Sequence, residues 1–463
     1  MYKLRVKELF YDRKFYKGVF VLALPIVLQY LIASSLNMLD TVMIGMVGEV
    51  ELASVGIANQ YYFIFSLIVM GISSGISVFI AQLWGKKDKE NIRRVLCIGL
   101  IIGIIVTIAF TIVALIIPEN IMSIFNKDPE VIAIGSDYIK IVCISYIFTT
   151  ITFNFASASR SIENTLVPMV ASFVGLITNG ILNYILIFGK LGLPVMGVRG
   201  AALATVIARV LECAVLLTYI YISKGILSVR PKDCVGSSKQ LTASTYSAII
   251  PVVLNEACWG LGNVTYAIIY GRIGTQASAS VQICSTVLNL FMIITFGLAN
   301  ASVVIVGKEI GAGNEERGKL YAKRLCAVSL VVGMILSIIL FISTPLILSF
   351  FNVSQMVIEH SRYILYIYAI FMMIKVYNAM VIVGILRGGG DAKYGLLVQG
   401  ITLWFIGIPM AFIAAFILKL PIPLVVLCSC TEEVIKVVIL IRRFISNKWI
   451  NSMVENINEN ISA

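Results

Sequence analysis

Residues 68–78 read IVMGISSGISV, and residues 294–304, which lie 226 positions further along the chain, read ITFGLANASVV. Under this shift Gly71 falls on Gly297. Other segments align at nearly the same shift: ALPIV (23–27) with IIPVV (249–253), MIGMVG (43–48) with IYGRIG (269–274), and SASRSIENT (157–165) with GILRGGGDA (384–392). Similarity of this kind between two parts of one chain indicates an internal structural repeat.

The composition is typical of a membrane protein. Of the 463 residues, 59% are hydrophobic and 13% are charged, whereas soluble domains have about 25% charged residues. A spanning helix needs about 20 mostly apolar residues. Twelve stretches meet this requirement: 18–42, 52–82, 95–117, 134–157, 165–188, 197–222, 244–270, 279–306, 325–350, 360–386, 394–418 and 421–441. We therefore predict an all-α integral membrane protein with twelve transmembrane helices.

The repeat and the number of spans together predict the domain organisation. Six spans is an even number, so the two copies enter the membrane in the same orientation, as parallel repeats do. We predict an N-terminal six-helix lobe at 1–222, a cytoplasmic linker at 223–243, and a C-terminal six-helix lobe with a cytoplasmic tail at 244–463. Parallel repeats also predict a cavity where the two lobes meet.

The distribution of Lys and Arg predicts the orientation in the membrane. If the twelve spans alternate in direction, 26 of the 36 Lys and Arg residues lie on the side of the amino terminus and 7 on the opposite side. An excess of Lys and Arg in the loops of one side marks the cytoplasmic side. We therefore predict that both termini are cytoplasmic, that the protein contacts membrane lipid, and that its net charge of +12 reflects these cytoplasmic Lys and Arg residues instead of nucleic-acid binding.

No motif in the sequence points to catalysis. The nine cysteines are scattered mostly through apolar stretches, which is typical of small core residues and not of a disulfide framework. One histidine, His360, cannot build a His-based metal cluster. Neither H-E-x-x-H nor G-x-S-x-G occurs, so we expect neither an enzyme nor a cofactor.

Asp40 is a lone carboxylate in the first long apolar stretch. A carboxylate at the centre of a bilayer costs at least about 2.5 kcal/mol, so it faces protein or water, or it is neutral. On a helix Asn37 and Thr41 share its face, and Asn179 and Asn183, four residues apart, project together from the fifth span. Such a group can coordinate a small cation or hold a proton. The alternative interpretation is polar packing between helices.

The two halves differ in their acids. Asp40 and Glu256 each align with a tyrosine in the other half, so the repeated scaffold does not repeat its ionisable groups. This asymmetry favours a functional interpretation of Asp40 and leaves both a functional and a structural interpretation open for Glu256. In the alternative interpretation each acid pairs structurally with a cation inside the spans, such as Lys375 or Arg209.

The second half carries large aromatic and amide side chains within its spans. The candidate residues of a substrate cavity are Asn255, Glu256, Trp259, Gln282, Tyr377 and Asn378. Aromatic rings, methionines and a few acids suit an adaptable cavity for flat organic cations. The same residue types also occur as ordinary packing in membrane bundles, which is the alternative interpretation.

Three segments resemble the multidrug and toxic compound extrusion (MATE) family, in its DinF-like bacterial branch. They are ALPIVLQYLIASSLNMLDTVMIGMVG (23–48), IIPVVLNEACWGLG (249–262) and NAMVIVGILRGGGDAKY (378–394). The resemblance extends from about residue 18 to 445. It implies a secondary active antiporter that works by alternating access and expels organic cations or drugs against an inward flow of protons or sodium ions. We expect it to act as a monomer in the plasma membrane of a bacterium.

Residue by residue, the resemblance makes Asp40 the coupling aspartate, with Asn179 and Asn183 beside it and Thr205 matching a threonine of the sixth helix. Asn183 stands where archaeal-type members have an aspartate, and we expect no second acid in this lobe. Sodium prefers several charged oxygen ligands. We therefore predict proton coupling, with sodium bound at Asp40, Asn179, Asn183 and Thr205 as the alternative.

Two other functions remain open from the sequence. Lipid-linked oligosaccharide flippases of the same superfamily share the repeat and the helix count. A channel or a receptor is a less favoured alternative, because the chain has no extramembrane domain and its buried acids are asymmetric.

Overall fold

A computed structural model describes residues 12–235 and 238–454, and its regular structure there is helical. The predicted basic residues Lys3, Arg5 and Lys7 lie outside the described residues, as does most of the predicted C-terminal tail. The helices are α1 (Arg13–Gly45), α2 (Glu49–Lys86), α3 (Lys89–Ile116), α4 (Pro118–Ser123), α5 (Pro129–Val142), α6 (Ser145–Ser161), α7 (Leu166–Phe188), α8 (Gly197–Ile222), α9 (Pro231–Val235), α10 (Lys239–Ile273), α11 (Thr275–Gly311), α12 (Glu315–Leu348), α13 (Gln355–Leu386), α14 (Ala392–Ile417), α15 (Ile422–Ser429) and α16 (Thr431–Ile445).

The predicted class, an all-α integral membrane protein, is confirmed. Within the described residues nine helices are long and apolar enough to cross a membrane, and α5 with α6, bent by 52°, makes a tenth. The other two predicted spans fall on α10 and on α15 with α16. α10 carries Glu256 within its apolar stretch, whereas the last predicted span is divided into two short helices of 8 and 15 residues, of which α16 carries Glu432 and Glu433.

Proline and wide helical turns interrupt several helices. Pro25 and Pro251 lie inside α1 and α10, at equivalent places in the repeat. The end of α13 (Met380–Leu386) and two segments of α14 (Leu403–Gly407 and Ile413–Ile417) are π-helical. Such wide turns inside α-helices are frequent at functional sites.

Two glycines let helices of different repeats approach closely. A Cβ atom on Gly71 of α2 would lie 2.7 Å from the Cα atom of Val253 in α10. Its repeat equivalent Gly297 of α11 abuts Val27 of α1 just as closely, so that a side chain there would collide too. Each first helix of a repeat therefore packs its early part against the second helix of the other repeat.

This exchange decides how the chain divides into compact units. One unit contains Met1–Val27 and Leu254–Ala463, and the other contains Leu28–Val253. The boundaries thus fall inside α1 and α10, next to their prolines, and not in the linker. The lobes predicted at 1–222 and 244–463 are defined by the sequence repeat, and their boundaries remain a prediction.

The linker takes part in a disulfide bond that was not predicted from the sequence. Cys97 of α3 and Cys234 of α9 form a disulfide bond, so the expectation of unbridged cysteines is wrong for this pair. An ion pair between Arg93 and Asp233, at 3.4 Å, joins the same two helices. Cys234 lies close to Cys97 because residues 231–235 form a short helix that packs against the start of α3.

Candidate functional site

Asp40 lies in a chain of polar side chains from three helices. Asn183 of α7 donates a hydrogen bond from Nδ2 to Asp40 Oδ1 of α1, and a second one to Asn179 Oδ1 at 3.0 Å. Asn179 in turn donates to Thr205 Oγ1 of α8 at 3.4 Å. The spacing of four residues puts both asparagines on one face of α7, and both are completely buried. The structure thus brings together four of the five residues predicted for the coupling site.

The fifth residue, Asn37, stands apart. Its side chain is exposed, and its backbone carbonyl accepts a hydrogen bond from Thr41 Oγ1 at 2.8 Å. Although it lies about one turn before Asp40, neither side chain of this α1 pair bonds the other. The local helical spacing was compatible with a shared face but did not decide which side chains turn toward α7.

Asp40 has no ion-pair partner within the described part of the chain, and Asn183 has an unused acceptor. Both hydrogens of the Asn183 amide are donated, while its Oδ1 atom is buried without a hydrogen bond. An asparagine amide can donate to an ionised carboxylate, and after rotation it can accept from a protonated one. The pair can therefore hold a proton or release it without losing its hydrogen bond.

A second acid does occur in the same repeat, so the expectation that this lobe has none is wrong. Glu212 of α8 is buried and forms an ion pair with Arg209 at 2.8 Å. Its other oxygen accepts from Ser172 at 2.7 Å. Glu212 was not predicted from the sequence, because Arg209, three residues earlier, offsets its charge inside an otherwise apolar span.

The pairing of Glu212 leaves the Asp40 group with a single uncompensated carboxylate. Glu212 is fully engaged by Arg209 and Ser172, and Ser172 accepts in turn from Gln29 at 3.1 Å. Arg209 also acts on Asp40 through space, but it does not contact it as an ion pair. The donor set at Asp40 is therefore one carboxylate, two amides and one hydroxyl.

In the second half, Glu256 is engaged by a cation other than the two suggested by the sequence. Arg387 contacts Glu256 Oε1 at 2.7 Å and donates to Asn255 Oδ1 at 3.0 Å. Lys375 and Arg209 are therefore not its partners. Arg387 belongs to the GILRGGGDA turn, which comes 131 residues later, a separation that sequence spacing cannot bridge.

The other predicted cavity residues do not form one group. Asn378 is buried and bonds Glu433 at 2.7 Å, while Tyr377, also buried, lies against Cys326. Trp259 and Gln282 are exposed, with no described hydrogen bond to these residues. The structure therefore places the six residues in at least four separate surroundings: at Arg387, at Glu433, at Cys326 and at exposed positions.

Two buried acids of α16 were missed altogether. Glu432 and Glu433 lie in the last span with Lys436 three and four residues later, at 3.5 Å from Glu433 and 3.8 Å from Glu432. Lys375 of α13 contacts Glu433 at 3.4 Å. The signal was visible as TEEVIK (431–436), a pattern of opposite charges at the spacing of one helical turn.

Comparison with known proteins gives the family. The MatE family model matches residues 25–185 and 251–413, one match in each repeat and together more than half of the chain. A probable multidrug resistance protein NorM from Thermotoga maritima is 24% identical over 434 residues, covering 94% of this chain and 93% of the relative. A protein of the same name from Agrobacterium fabrum is 26% identical over 424 residues, with 87% of each chain covered.

Solved structures show the same fold. A MOP superfamily transporter from Pyrococcus furiosus superposes with a TM-score of 0.84 at 18% identity, over 93% of this chain and 96% of that chain. Its likeness and the two family-model matches agree with the repeat found in the sequence. The chain belongs to the MatE family.

Proposed function

We propose that this protein is a secondary active antiporter that exports organic cations or drugs in exchange for protons, with Asp40 as the coupling carboxylate. Membership of the MatE family supports transport, and the names of relatives such as the multidrug resistance protein of Thermotoga maritima support drugs as substrates. The observation that carries the proposal is the unpaired carboxylate of Asp40 beside Asn183. A carboxylate inside a membrane span without a counter-ion is a functional group by default.

The exchange follows from what this group can do in two protonation states. When ionised, Asp40 accepts from Asn183 and attracts an organic cation into the same lobe. When protonated, it donates to the amide oxygen and no longer attracts the cation. Proton and substrate therefore compete for one negative charge, which is the requirement for antiport by alternating access.

The donor set also favours a proton over sodium. A hard cation takes several oxygen ligands, preferably with more than one formal negative charge. Asp40 supplies one charge, the asparagines and Thr205 supply neutral oxygens, and Glu212 is neutralised by Arg209. A proton needs one carboxylate with a hydrogen-bond partner, and Asn183 provides that partner.

The remaining residues complete the proposal. Asn255, Glu256, Trp259, Gln282, Tyr377 and Asn378 are proposed to contribute to substrate binding in the second repeat, through amide and aromatic contacts with a flat cation. We further propose a monomer in the plasma membrane of a bacterium, with both termini in the cytoplasm. Cysteine labels placed at 86–94 and at 190–196 should then react from opposite sides of the membrane.

The test is the movement of a fluorescent organic cation in everted membrane vesicles. In sodium-free buffer an imposed pH gradient should drive transport, and a sodium gradient at fixed pH should not. Transport that follows only the sodium gradient would overturn proton coupling. Vesicles that move no cation under either gradient, but translocate a fluorescent lipid-linked sugar, would support the flippase instead.

A further inference from the structure

The acids of α16 form a second ionisable cluster, and its two carboxylates are unequally satisfied. Glu433 is contacted by Lys375 at 3.4 Å and by Lys436 at 3.5 Å, and it accepts from Asn378 Nδ2 at 2.7 Å. Both of its oxygens are therefore engaged. The Glu433 carboxylate therefore needs no further partner.

Glu432 is the poorly satisfied member. Its side chain is 9% exposed, and the nearest cation, Lys436, is 3.8 Å from Oε1. The other oxygen, Oε2, is buried without a hydrogen-bond partner. A buried polar atom without a partner costs about 1–3 kcal/mol, and more when it is charged. An ionised Glu432 is therefore poorly accommodated by the side chains around it.

A second unpartnered oxygen lies opposite. The hydroxyl of Tyr266 in α10 is also buried and also lacks a hydrogen bond. A Cβ atom on Gly407 of α14 would lie within 3.0 Å of both this hydroxyl and Glu432 Oε2. The two oxygens therefore share the space that any side chain at position 407 would fill. Gly407 is the last residue of the π-helical segment Leu403–Gly407. π-Helical segments are frequent at functional sites.

A proton fits this space better than a metal ion. A hard metal cation takes about six or more oxygen ligands, whereas the three atoms nearest to a Cβ at Gly407 include two oxygens, Glu432 Oε2 and Tyr266 Oη. The ammonium groups of Lys375 and Lys436 belong to the same cluster and would repel a metal cation. A proton needs one carboxylate oxygen and one acceptor, and both are present.

We propose that Glu432 is a second proton-binding site of this transporter, which holds its proton on Oε2 toward the Tyr266 hydroxyl, directly or through one water molecule. This inference rests on the proposed antiport function and extends it to the second repeat. Protonation gives the balanced cluster of two acids and two lysines one net positive charge. A positive cluster repels an organic cation, so proton binding at Glu432 favours substrate release.

The net charge around Glu432 depends on the titratable groups that pack against it. Its own helix and the preceding turn supply Glu433, Lys436 and Cys430, α13 supplies Lys375, and α10 supplies Tyr266, Tyr270 and Cys258. The facing segment of α14 offers Gly407 and no titratable side chain. Of these groups, only the Tyr266 hydroxyl faces Oε2 without a partner of its own.

The test is infrared difference spectroscopy of the purified protein on a pH change, without substrate or gradient. We carry it out on the Asp40→Asn background, so that Asp40 does not contribute. A band of a protonated carboxyl group should rise on acidification, and it should be lost in the additional Glu432→Gln variant. Tyr266→Phe should shift this band, because the carboxyl group loses its hydrogen-bond partner. The matched control Tyr270→Phe should leave it unchanged, since that hydroxyl bonds Ser429 instead.

Several results would overturn the proposal. One is a carboxyl band in Glu432→Gln that is identical to the band without this change. Another is a band that does not shift in Tyr266→Phe. A third is a band that responds to sodium at fixed pH and does not respond to pH. If Glu432→Gln does not fold, Tyr266→Phe and Gly407→Ala decide, because the latter fills the space between the oxygens and should also shift the band. The proposed function can fail independently, since it fails when wild-type vesicles ignore a pH gradient, whatever the infrared band shows.

Discussion

Two membrane-embedded acids, Asp40 of the first repeat and Glu256 of the second, are held in opposite ways. In the first, Asp40 has amide partners and no ion pair within the described residues. In the second, Glu256 is held at 2.7 Å by Arg387. Because its partners are neutral, Asp40 can take up a proton without removing the charge that faces a buried cation, whereas protonation of Glu256 would remove the charge that faces Arg387. The comparison teaches that the lone acid is suited to coupling, whereas the charge of Glu256 is already balanced by Arg387.

The largest expected effect is on stability, at the paired acid. Arg387→Met leaves the Glu256 carboxylate without its cation, and breaking a buried pair in this way costs about 3–5 kcal/mol. The midpoint of thermal unfolding in detergent should therefore fall strongly. The double variant Arg387→Met with Glu256→Leu should recover most of the loss, because it removes both charges.

The lone acid supplies the matched control. Asp40→Asn should leave the unfolding midpoint nearly unchanged, because an amide can keep the hydrogen bond to Asn183 without a counter-ion. An Asp40→Asn variant as unstable as Arg387→Met would show that the two acids do not differ as proposed.

The next effect concerns the close approach that the two repeats share. Gly71→Ala and Gly297→Ala each place a methyl group against a neighbouring helix. Overpacking of this kind lowers the free energy of unfolding by about 1–3 kcal/mol. Gly56→Ala is the control, because nothing lies within 4 Å of a Cβ atom there. Thermal unfolding should separate the first two variants from the third. Equal midpoints would contradict the exchanged packing of α1 and α10.

A smaller effect sharpens the choice of ion at the lone acid. Asn183→Asp adds a second carboxylate beside Asp40 and so supplies the charge that a sodium site lacks. Cation efflux should then become sodium-dependent, with about tenfold less efflux in sodium-free buffer. Asn120→Asp, the same change at an exposed residue of α4, should not produce this dependence. Sodium dependence that is equal in both variants would contradict a specific role for the group around Asp40.

The smallest effect is a pH dependence outside the membrane spans. The backbone N–H of Phe15 and the Arg324 guanidinium at 2.7 Å lower the pKa of Asp12 below its ordinary value of 3.8. Because the folded pKa is the lower one, the carboxylate stabilises the start of α1 above pH 3.8, and this contribution is lost as the pH falls through the folded value. Asp12→Asn should remove this part of the acid sensitivity of unfolding, and an unchanged acid profile would contradict it.

The comparison also shows what the sequence could and could not predict. The group of Asp40, Asn179 and Asn183 was accessible, because the asparagines are one helical turn apart and the family resemblance joins α1 to α7. The partner of Glu256 was not, since Arg387 lies 131 residues away and helical spacing carries no information over that distance. The helices themselves followed from apolar length, although the fourth predicted span is bent between α5 and α6 and the last is divided between α15 and α16.

The missed acids share a physical cause. Glu212, Glu432 and Glu433 each lie three or four residues from a basic side chain on the same helix, which lets them remain inside an apolar span. Average hydrophobicity hides such pairs. A search for opposite charges one turn apart within each predicted span would have found all three.

The most direct test of the central claim is transport by the Asp40→Asn variant in proteoliposomes, under a pH gradient in sodium-free buffer. Asp137→Asn, which changes an exposed acid paired with Arg199, is the control and should transport like the wild type. We predict that Asp40→Asn accumulates no more of a fluorescent organic cation than protein-free liposomes do, although it is stably folded. Accumulation driven by the pH gradient in Asp40→Asn, at the wild-type level, would contradict the assignment of Asp40 as the coupling carboxylate.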